Sequence, residues 1–160
     1  MEKNFNKILL AILAFSILSI FSAYFIEYVL GHKPCKLCLY QRYPYFVSVF
    51  LILNILVLKK YVKLTLLTLA LVSFFGSAIA FYHFGIEQGF FNEAQICEAK
   101  NFDKNLSKEE LLKNLKESTI SCKTVTFRVF GLSLASINTI LSFILFGIFT
   151  KFYKNYERNK

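Results

Sequence analysis

Four apolar stretches dominate this sequence, and each is close to the ~20 residues that an α-helix needs to cross the hydrocarbon core of a bilayer. They run approximately over residues 8–30, 39–58, 64–84 and 129–150. Hydrophobic side chains make up 56% of the 160 residues, which is more apolar surface than a soluble domain of this size buries. The sequence therefore predicts an all-α integral membrane protein, a bundle of four transmembrane helices forming a single domain over residues 1–160.

The second stretch is the least regular of the four. Its strictly apolar part, residues 43–58, is slightly short for a span and contains Pro44 and Asn54. Extending it back to Leu39 restores the length and brings Gln41 and Arg42 to the membrane interface. There the aliphatic stem of an arginine lies along lipid while its guanidinium reaches water.

The first stretch follows Lys3 and Lys7, as the core of a secretory signal peptide would. A signal-peptide core is about 7–15 residues long. The stretch over residues 8–30 is longer, so we expect a retained transmembrane span.

The distribution of basic residues predicts the orientation. Lys and Arg residues in both tails and in the turn at residues 59–63 lie directly against helix ends, whereas those of residues 85–126 are spread out and offset by acids. We expect both termini to be cytoplasmic. Two segments then face outward, a short loop at residues 32–39 and a long loop at residues 85–126. Most of the formal charge of +9 arises from these tails and this turn, and the rest from the region of the short outer loop, so it gives no indication of nucleic-acid binding.

Part of the long outer loop has a helical pattern. Ser107-Lys108-Glu109-Glu110 has the form of a capping box, and Leu111, Leu112 and Leu115 follow at helical spacing. We expect a short amphipathic helix there, which covers the apolar side of the loop or lies on the membrane surface.

All four cysteines fall in the two outward-facing segments: Cys35 and Cys38 in the short loop, Cys97 and Cys122 in the long one. Disulfides persist outside the cytosol, so this clustering indicates thiol and disulfide chemistry. A Cys-x-x-Cys pair also suits zinc, but a four-cysteine zinc site usually has two close pairs, and Cys97 and Cys122 lie far apart in sequence. We predict no metal site, and two static structural disulfides remain an alternative to exchange.

Cys38 is expected at the start of the second span, where unpaired backbone amides favour a thiolate. Arg42 follows four residues later, one helical turn away on the same face, so its guanidinium can stabilise negative charge there.

Three segments of the chain resemble the DsbB/BdbC family of membrane disulfide bond formation proteins. Residues 35–42, Cys-Lys-Leu-Cys-Leu-Tyr-Gln-Arg, resemble the family's first loop and following helix start. Residues 83–87 and 131–134 also resemble family segments, and the four-span layout agrees from end to end.

The resemblance implies a thiol:quinone oxidoreductase of the bacterial inner membrane. It would reoxidise a DsbA-like periplasmic thiol oxidase and pass the electrons to ubiquinone or menaquinone. Cys97 would be attacked by the partner, Cys122 would resolve the mixed disulfide, Cys35 would exchange with the long loop, and Cys38 would face the quinone beside Arg42. His83 is a candidate quinone contact or proton shuttle.

Two further ionisable residues lie near the outer face. Glu27 is a candidate proton carrier or an interfacial acid, and His32 is expected to be solvated. Two other functions remain open at this stage. One is a quinone reductase resembling vitamin K epoxide reductase, against which the early position of the Cys-x-x-Cys pair argues, and the other is a small membrane scaffold with two static disulfides.

Overall fold

The computed structural model describes residues 2–92, 121–123, 127–129 and 131–158. Cys97 and the amphipathic helix expected near residues 107–115 lie outside these ranges. The described elements, in chain order, are α1 (Glu2–Tyr28), α2 (Lys36–Tyr40), α3 (Arg42–Leu58), α4 (Val62–Glu87), β1 (Arg128–Val129), β2 (Leu132–Ser133) and α5 (Leu134–Arg158).

Among the described residues, four helical segments are long and apolar enough to cross a membrane, which confirms the predicted all-α membrane bundle. They are Asn4–Tyr28, Lys36–Leu58, Val62–Glu87 and Leu134–Arg158. Large side chains such as Phe21, Phe50 and Phe75 are 62–70% exposed on the outside of the bundle. Such exposure is costly in water but suits a lipid-facing surface.

The fourth span begins later and ends later than the sequence pattern suggested. Arg128–Val129 and Leu132–Ser133, expected mostly within the helix, form a two-stranded antiparallel ladder that pairs Arg128 with Ser133 and Val129 with Leu132. Gly131 permits the turn because it adopts a φ of +83°. The Ser133 hydroxyl then accepts a 3.1 Å hydrogen bond from the Ser136 amide, which caps the first turn of α5.

The second span is made of two helices that meet at Gln41. Pro44 has no amide hydrogen and cannot donate to the carbonyl of Tyr40, so α2 ends there and α3 begins at Arg42. Pro44 itself lies in the first turn of α3, where a missing donor costs little. The break turns the Gln41 side chain toward the bundle interior, where the residue is 8% exposed.

The end of the bundle that carries both termini holds the main apolar core. Leu9, Ile52, Leu66 and Phe149, one from each of α1, α3, α4 and α5, are completely buried against one another. Phe5 and Phe152 add an edge-to-face ring contact at 5.0 Å. This packing joins the helices at one end, while the cysteines lie at the opposite end within a smaller apolar cluster.

Close packing between α3 and α4 depends on Gly76. A Cβ atom built on Gly76 would lie 3.2 Å from both Cβ and Cγ of Pro44. The missing side chain therefore lets α4 pack directly against the first turns of α3.

We expect Gly76→Leu to separate α3 from α4 and to lower the free energy of unfolding by about 1–3 kcal/mol, the usual cost of overpacking. Gly147→Leu is the matched control, because a Cβ atom at Gly147 meets nothing within 4 Å. Leucine favours a helix over glycine, so that variant should be neutral or slightly stabilised. Thermal unfolding in detergent, followed by circular dichroism, measures both. Equal midpoints for the two variants would contradict the close approach of α3 and α4.

Candidate dithiol site

The Cys35–Cys38 pair forms the first turn of α2. Cys35 is the N-cap residue, in an extended conformation (φ −72°, ψ 168°), and its sulfur accepts a 3.3 Å hydrogen bond from the Cys38 amide. The Cys-x-x-Cys spacing matches the cap-to-third-residue spacing of a helix start. The two sulfurs consequently lie 3.1 Å apart, and both residues are free thiols.

The helix start stabilises Cys35 rather than Cys38, which differs from the sequence expectation. The helix begins at Lys36, upstream of the expected start, so the backbone amide of Cys38 donates to the Cys35 sulfur. The hydrogen bond with the Cys38 thiol is the largest influence and, with His83 and the Cys38 amide, holds the pKa of Cys35 at about 4, although burial opposes the shift.

His83 is a buried neighbour of Cys35 on α4. Its Nε2 atom lies 3.5 Å from the Cys35 sulfur, and its Nδ1 atom lies 2.9 Å from Nε2 of Gln41. Glu87 follows one turn later on the same face of α4, with Oε1 3.6 Å from His83 Nε2. His83 therefore contacts the cysteine pair through Cys35.

Cys122, from the long segment that follows α4, packs directly against this pair. It is disulfide-bonded and 1% exposed. Its sulfur, the Cys35 sulfur and a His83 ring nitrogen all lie within 4.8 Å of one another. Leu37 and Ile86 enclose the group in a small apolar cluster. A cysteine of the long segment is thus next to the dithiol of the short one, whereas Cys97 lies outside the described residues.

A cavity of about 450 Å³ opens beside Cys38, between α1, the α2–α3 junction and α5. Its walls are mostly apolar, and its polar groups include Cys38, Gln41, Arg42 and Tyr45. His32 also lines it, with its ring 5.3 Å from that of Phe127. His83, predicted as a cofactor contact, is not among its described lining residues.

Arg42 is held at the cavity wall by two contacts with α1. Its Nη1 atom donates to Glu27 Oε2 at 2.5 Å, and its guanidinium lies over the Tyr24 ring, 4.8 Å from the centroid. Both charged side chains are largely buried, with exposures of 13% and 20%. Glu27, considered above as a proton carrier, is therefore the ion-pair partner of Arg42.

A chain of polar side chains joins His83 to the cavity. Gln41 contacts His83 through its Nε2 atom and accepts a 2.7 Å hydrogen bond from Asn138 through its Oε1 atom. Tyr45 completes the chain by donating to Asn138 Oδ1 at 2.5 Å. Sequence reasoning missed Gln41, Asn138 and Glu87, although a polar residue within a transmembrane span is in itself a signal of function.

The fold and site together define a class: a four-helix membrane protein with a free dithiol at one end of the bundle, beside a disulfide-bonded cysteine and an apolar cavity. The family model described as disulfide bond formation protein DsbB matches residues 5–151, and the chain belongs to that family. It is also similar to the protein named Uncharacterized protein RP370 from Rickettsia prowazekii (strain Madrid E). The two are 26% identical over 147 residues, which cover 90% of this chain and 86% of that protein. The resemblance drawn from the sequence is confirmed.

We expect Cys35 to be a thiolate at neutral pH in the reduced protein, because its pKa lies near 4. Thiolate absorbance near the ultraviolet edge, titrated in metal-free buffer, should show one more ionised thiol at pH 6–7 in wild type than in Cys35→Ser. Cys38→Ala should move that ionisation to higher pH, since it removes the strongest hydrogen bond to the Cys35 sulfur. A wild-type curve without ionisation below neutral pH would contradict this reading.

Proposed function

We propose that this protein is a thiol:quinone oxidoreductase that reoxidises a DsbA-like periplasmic thiol oxidase and passes the electrons to a membrane quinone. Membership of the DsbB family makes it a membrane protein of disulfide bond formation. To this family assignment the proposal adds a quinone as electron acceptor, a DsbA-like partner and the direction of electron flow.

One observation gives this proposed activity its main support: Cys38 has two neighbours of different kinds. Its sulfur is 3.1 Å from that of Cys35, and it also lines the apolar cavity. Cys35 in turn is close to Cys122. The described sulfurs therefore form an ordered series from the long outer segment to the cavity, as electron transfer by thiol exchange requires.

Each exchange in this series conserves electrons. A thiolate of the reduced partner attacks Cys97 of a Cys97–Cys122 disulfide and releases Cys122, and the partner's second thiol then displaces Cys97. In this proposal Cys122 is released to react onward, in place of the resolving role that the resemblance implied. The Cys122 thiolate then attacks Cys35 of an oxidised Cys35–Cys38 pair, and Cys97 displaces Cys35 to restore the first disulfide. Two electrons and two protons have moved from the partner to Cys35 and Cys38.

The cavity fits the head group of a quinone, which would accept the two electrons and two protons of that dithiol. Apolar walls suit the ring, and Arg42 with Gln41 places donors beside Cys38. Within this arrangement Arg42 stabilises negative charge next to Cys38. Glu27 and Tyr24 keep the guanidinium in place. Either ubiquinone or menaquinone satisfies these requirements.

The orientation is also part of the proposal: the cysteine end faces the periplasm, and both termini face the cytoplasm across the inner membrane. The basic residues Lys59, Lys60 and Lys63 lie at the opposite end of the bundle from the cysteines, which supports it. The scaffold alternative requires static bridges, yet Cys35 and Cys38 are free thiols at contact distance.

Cys38→Ser should abolish quinone reduction, because it removes the sulfur that lines the cavity. Arg42→Ala should lower kcat by about 100-fold, the scale seen when one preorganised donor is lost. The assay mixes the purified protein with a reduced periplasmic dithiol oxidase and a water-soluble quinone analogue and follows quinone absorbance. Quinone reduction that survives in Cys38→Ser would overturn the mechanism.

Ala23→Leu should raise the KM for the quinone analogue several-fold, since Ala23 lines the cavity and overpacking costs about 1–3 kcal/mol. Ala78→Leu is the matched control, because Ala78 is exposed on α4 and lies away from the cavity. The same KM in the two variants would show that the quinone binds elsewhere.

A further inference from the structure

The side chain of Glu87 is buried at the end of α4, and the exchange series assigns it no role. It is 7% exposed, and its Oε2 atom has no hydrogen-bond partner among the described residues. Burial of a carboxylate without compensation is costly and rare. Among the ion pairs of the described residues, the one that includes Glu87 joins its Oε1 atom to His83 Nε2 at 3.6 Å. This contact compensates the buried charge when His83 is protonated.

The same nitrogen of His83 also faces the dithiol. Nε2 lies 3.5 Å from the Cys35 sulfur, so a proton on Nε2 lies between that sulfur and the Glu87 carboxylate. The hydrogen bond with the Cys38 thiol is the largest cause of the low pKa of Cys35, and His83 is the next group that lowers it. Cys122, the other neighbour, is held in a disulfide and does not titrate. An imidazolium at this position is therefore shared by two anions.

The polar chain behind His83 accommodates a charged ring. A protonated ring carries a second hydrogen on Nδ1, which lies 2.9 Å from the Gln41 amide. Rotation of that amide presents Oε1 to Nδ1, and the same rotation of Asn138 keeps the hydrogen bond between the two amides. The Tyr45 hydroxyl can accept as well as donate, so its contact with Asn138 persists. The described contacts thus satisfy both ring nitrogens of an imidazolium.

We propose that Glu87 is a positioning residue for the dithiol: its carboxylate keeps His83 protonated, and the imidazolium in turn stabilises the thiolate of Cys35. Acting directly, the negative charge of Glu87 would repel that thiolate. Acting through His83, it favours a positive charge 3.5 Å from the sulfur. The two routes predict opposite signs for the effect of removing the carboxylate.

The consequence for electron transfer rests on the proposed function. When Cys97 attacks Cys122 of the mixed disulfide, the Cys35–Cys122 bond breaks and its electron pair leaves on the Cys35 sulfur. A thiol with a lower pKa leaves faster, and a stabilised thiolate makes the disulfide of its pair a stronger oxidant. Glu87 would thus favour both the release of Cys35 and the oxidising power of the Cys35–Cys38 pair.

Titration of the Cys35 thiolate in the full chain provides the test. We expect Glu87→Gln, a nearly isosteric change, to raise the midpoint of that ionisation by about one pH unit or more, the scale of one neighbouring charge. Glu87→Asp keeps a carboxylate and should recover part of the shift. The reduced protein in detergent and metal-free buffer is followed by thiolate absorbance, and the curve of the matching Cys35→Ser variant is subtracted.

Glu157→Gln is the matched control for loss of an ion-paired carboxylate. Glu157 lies 2.7 Å from Lys63, at the opposite end of the bundle from the cysteines. Its removal should leave the midpoint of the Cys35 ionisation unchanged.

A double-variant cycle shows whether Glu87 acts through His83. His83→Ala should itself raise the midpoint, and adding Glu87→Gln should raise it no further. The equilibrium of the Cys35–Cys38 pair with glutathione gives an independent readout. Glu87→Gln should shift it about 10-fold towards the disulfide, which corresponds to one pH unit in the pKa of Cys35. Neither assay contains quinone or partner, so failure here is separate from failure of the proposed function.

Two results would overturn the proposal. One is a midpoint that falls or stays in place in Glu87→Gln, which would show direct repulsion of the thiolate or no influence on it. The other is the same upward shift from Glu87→Gln with and without His83, which would show that the imidazole does not transmit the effect. Circular dichroism of each variant confirms that the helices are intact before titration.

Discussion

The contact between the Cys38 amide and the Cys35 sulfur determines most of what this site can do. It makes Cys35 the cap of a helix that begins at the end of a membrane span, and it brings the two sulfurs to 3.1 Å. A helix start is one of the few places in a membrane-spanning fold where backbone amides are available to a side chain. At this position the Cys38 amide stabilises the thiolate form of Cys35, while the rest of the bundle stays helical.

The two sulfurs of the pair consequently lie in different surroundings although they touch. Cys35 faces His83 and Cys122, and His83 in turn lies beside the Glu87 carboxylate. Cys38 faces the cavity, whose walls are mostly apolar. A pair of equivalent thiols would carry out one reaction with one class of partner. The asymmetry created by a five-residue helix lets a single pair contact both a disulfide and an apolar ligand.

The gross architecture followed from the sequence because lipid imposes a simple rule: apolar stretches of sufficient length become helices. The number of spans and their approximate positions were predicted on this basis. The ends of the helices were not. The late start of α5 depends on Gly131 and on the Ser133 cap, both local signals that a hydropathy pattern overlooks. The break at Gln41 depends on Pro44, which the sequence showed but which was read only as an irregularity.

For the site, the sequence identified the residue types but not their partners. Cys35, Cys38 and Arg42 could be singled out because their spacing is local. The contacts of His83 with Cys35 and Gln41, and of Arg42 with Glu27, join residues that are 15 to 48 positions apart in the chain. They depend on how α1, α3 and α4 rotate against one another. Periodicity gives the apolar face of each helix, but it does not give this rotation for helices that are apolar on nearly every side.

Polar side chains help to determine how the helices rotate against one another. Between apolar helices in lipid, packing alone distinguishes poorly among rotations, and hydrogen bonds between helices help to select one. In the described part of the cysteine end, these bonds run from His83 on α4 through Gln41 to Asn138 on α5 and Tyr45 on α3. The same bonds that orient the helices also link the surroundings of Cys35 to the cavity beside Cys38. A substitution at Gln41 would therefore disturb the geometry at both sulfurs, because the residue that joins the two environments also positions the helices that form them.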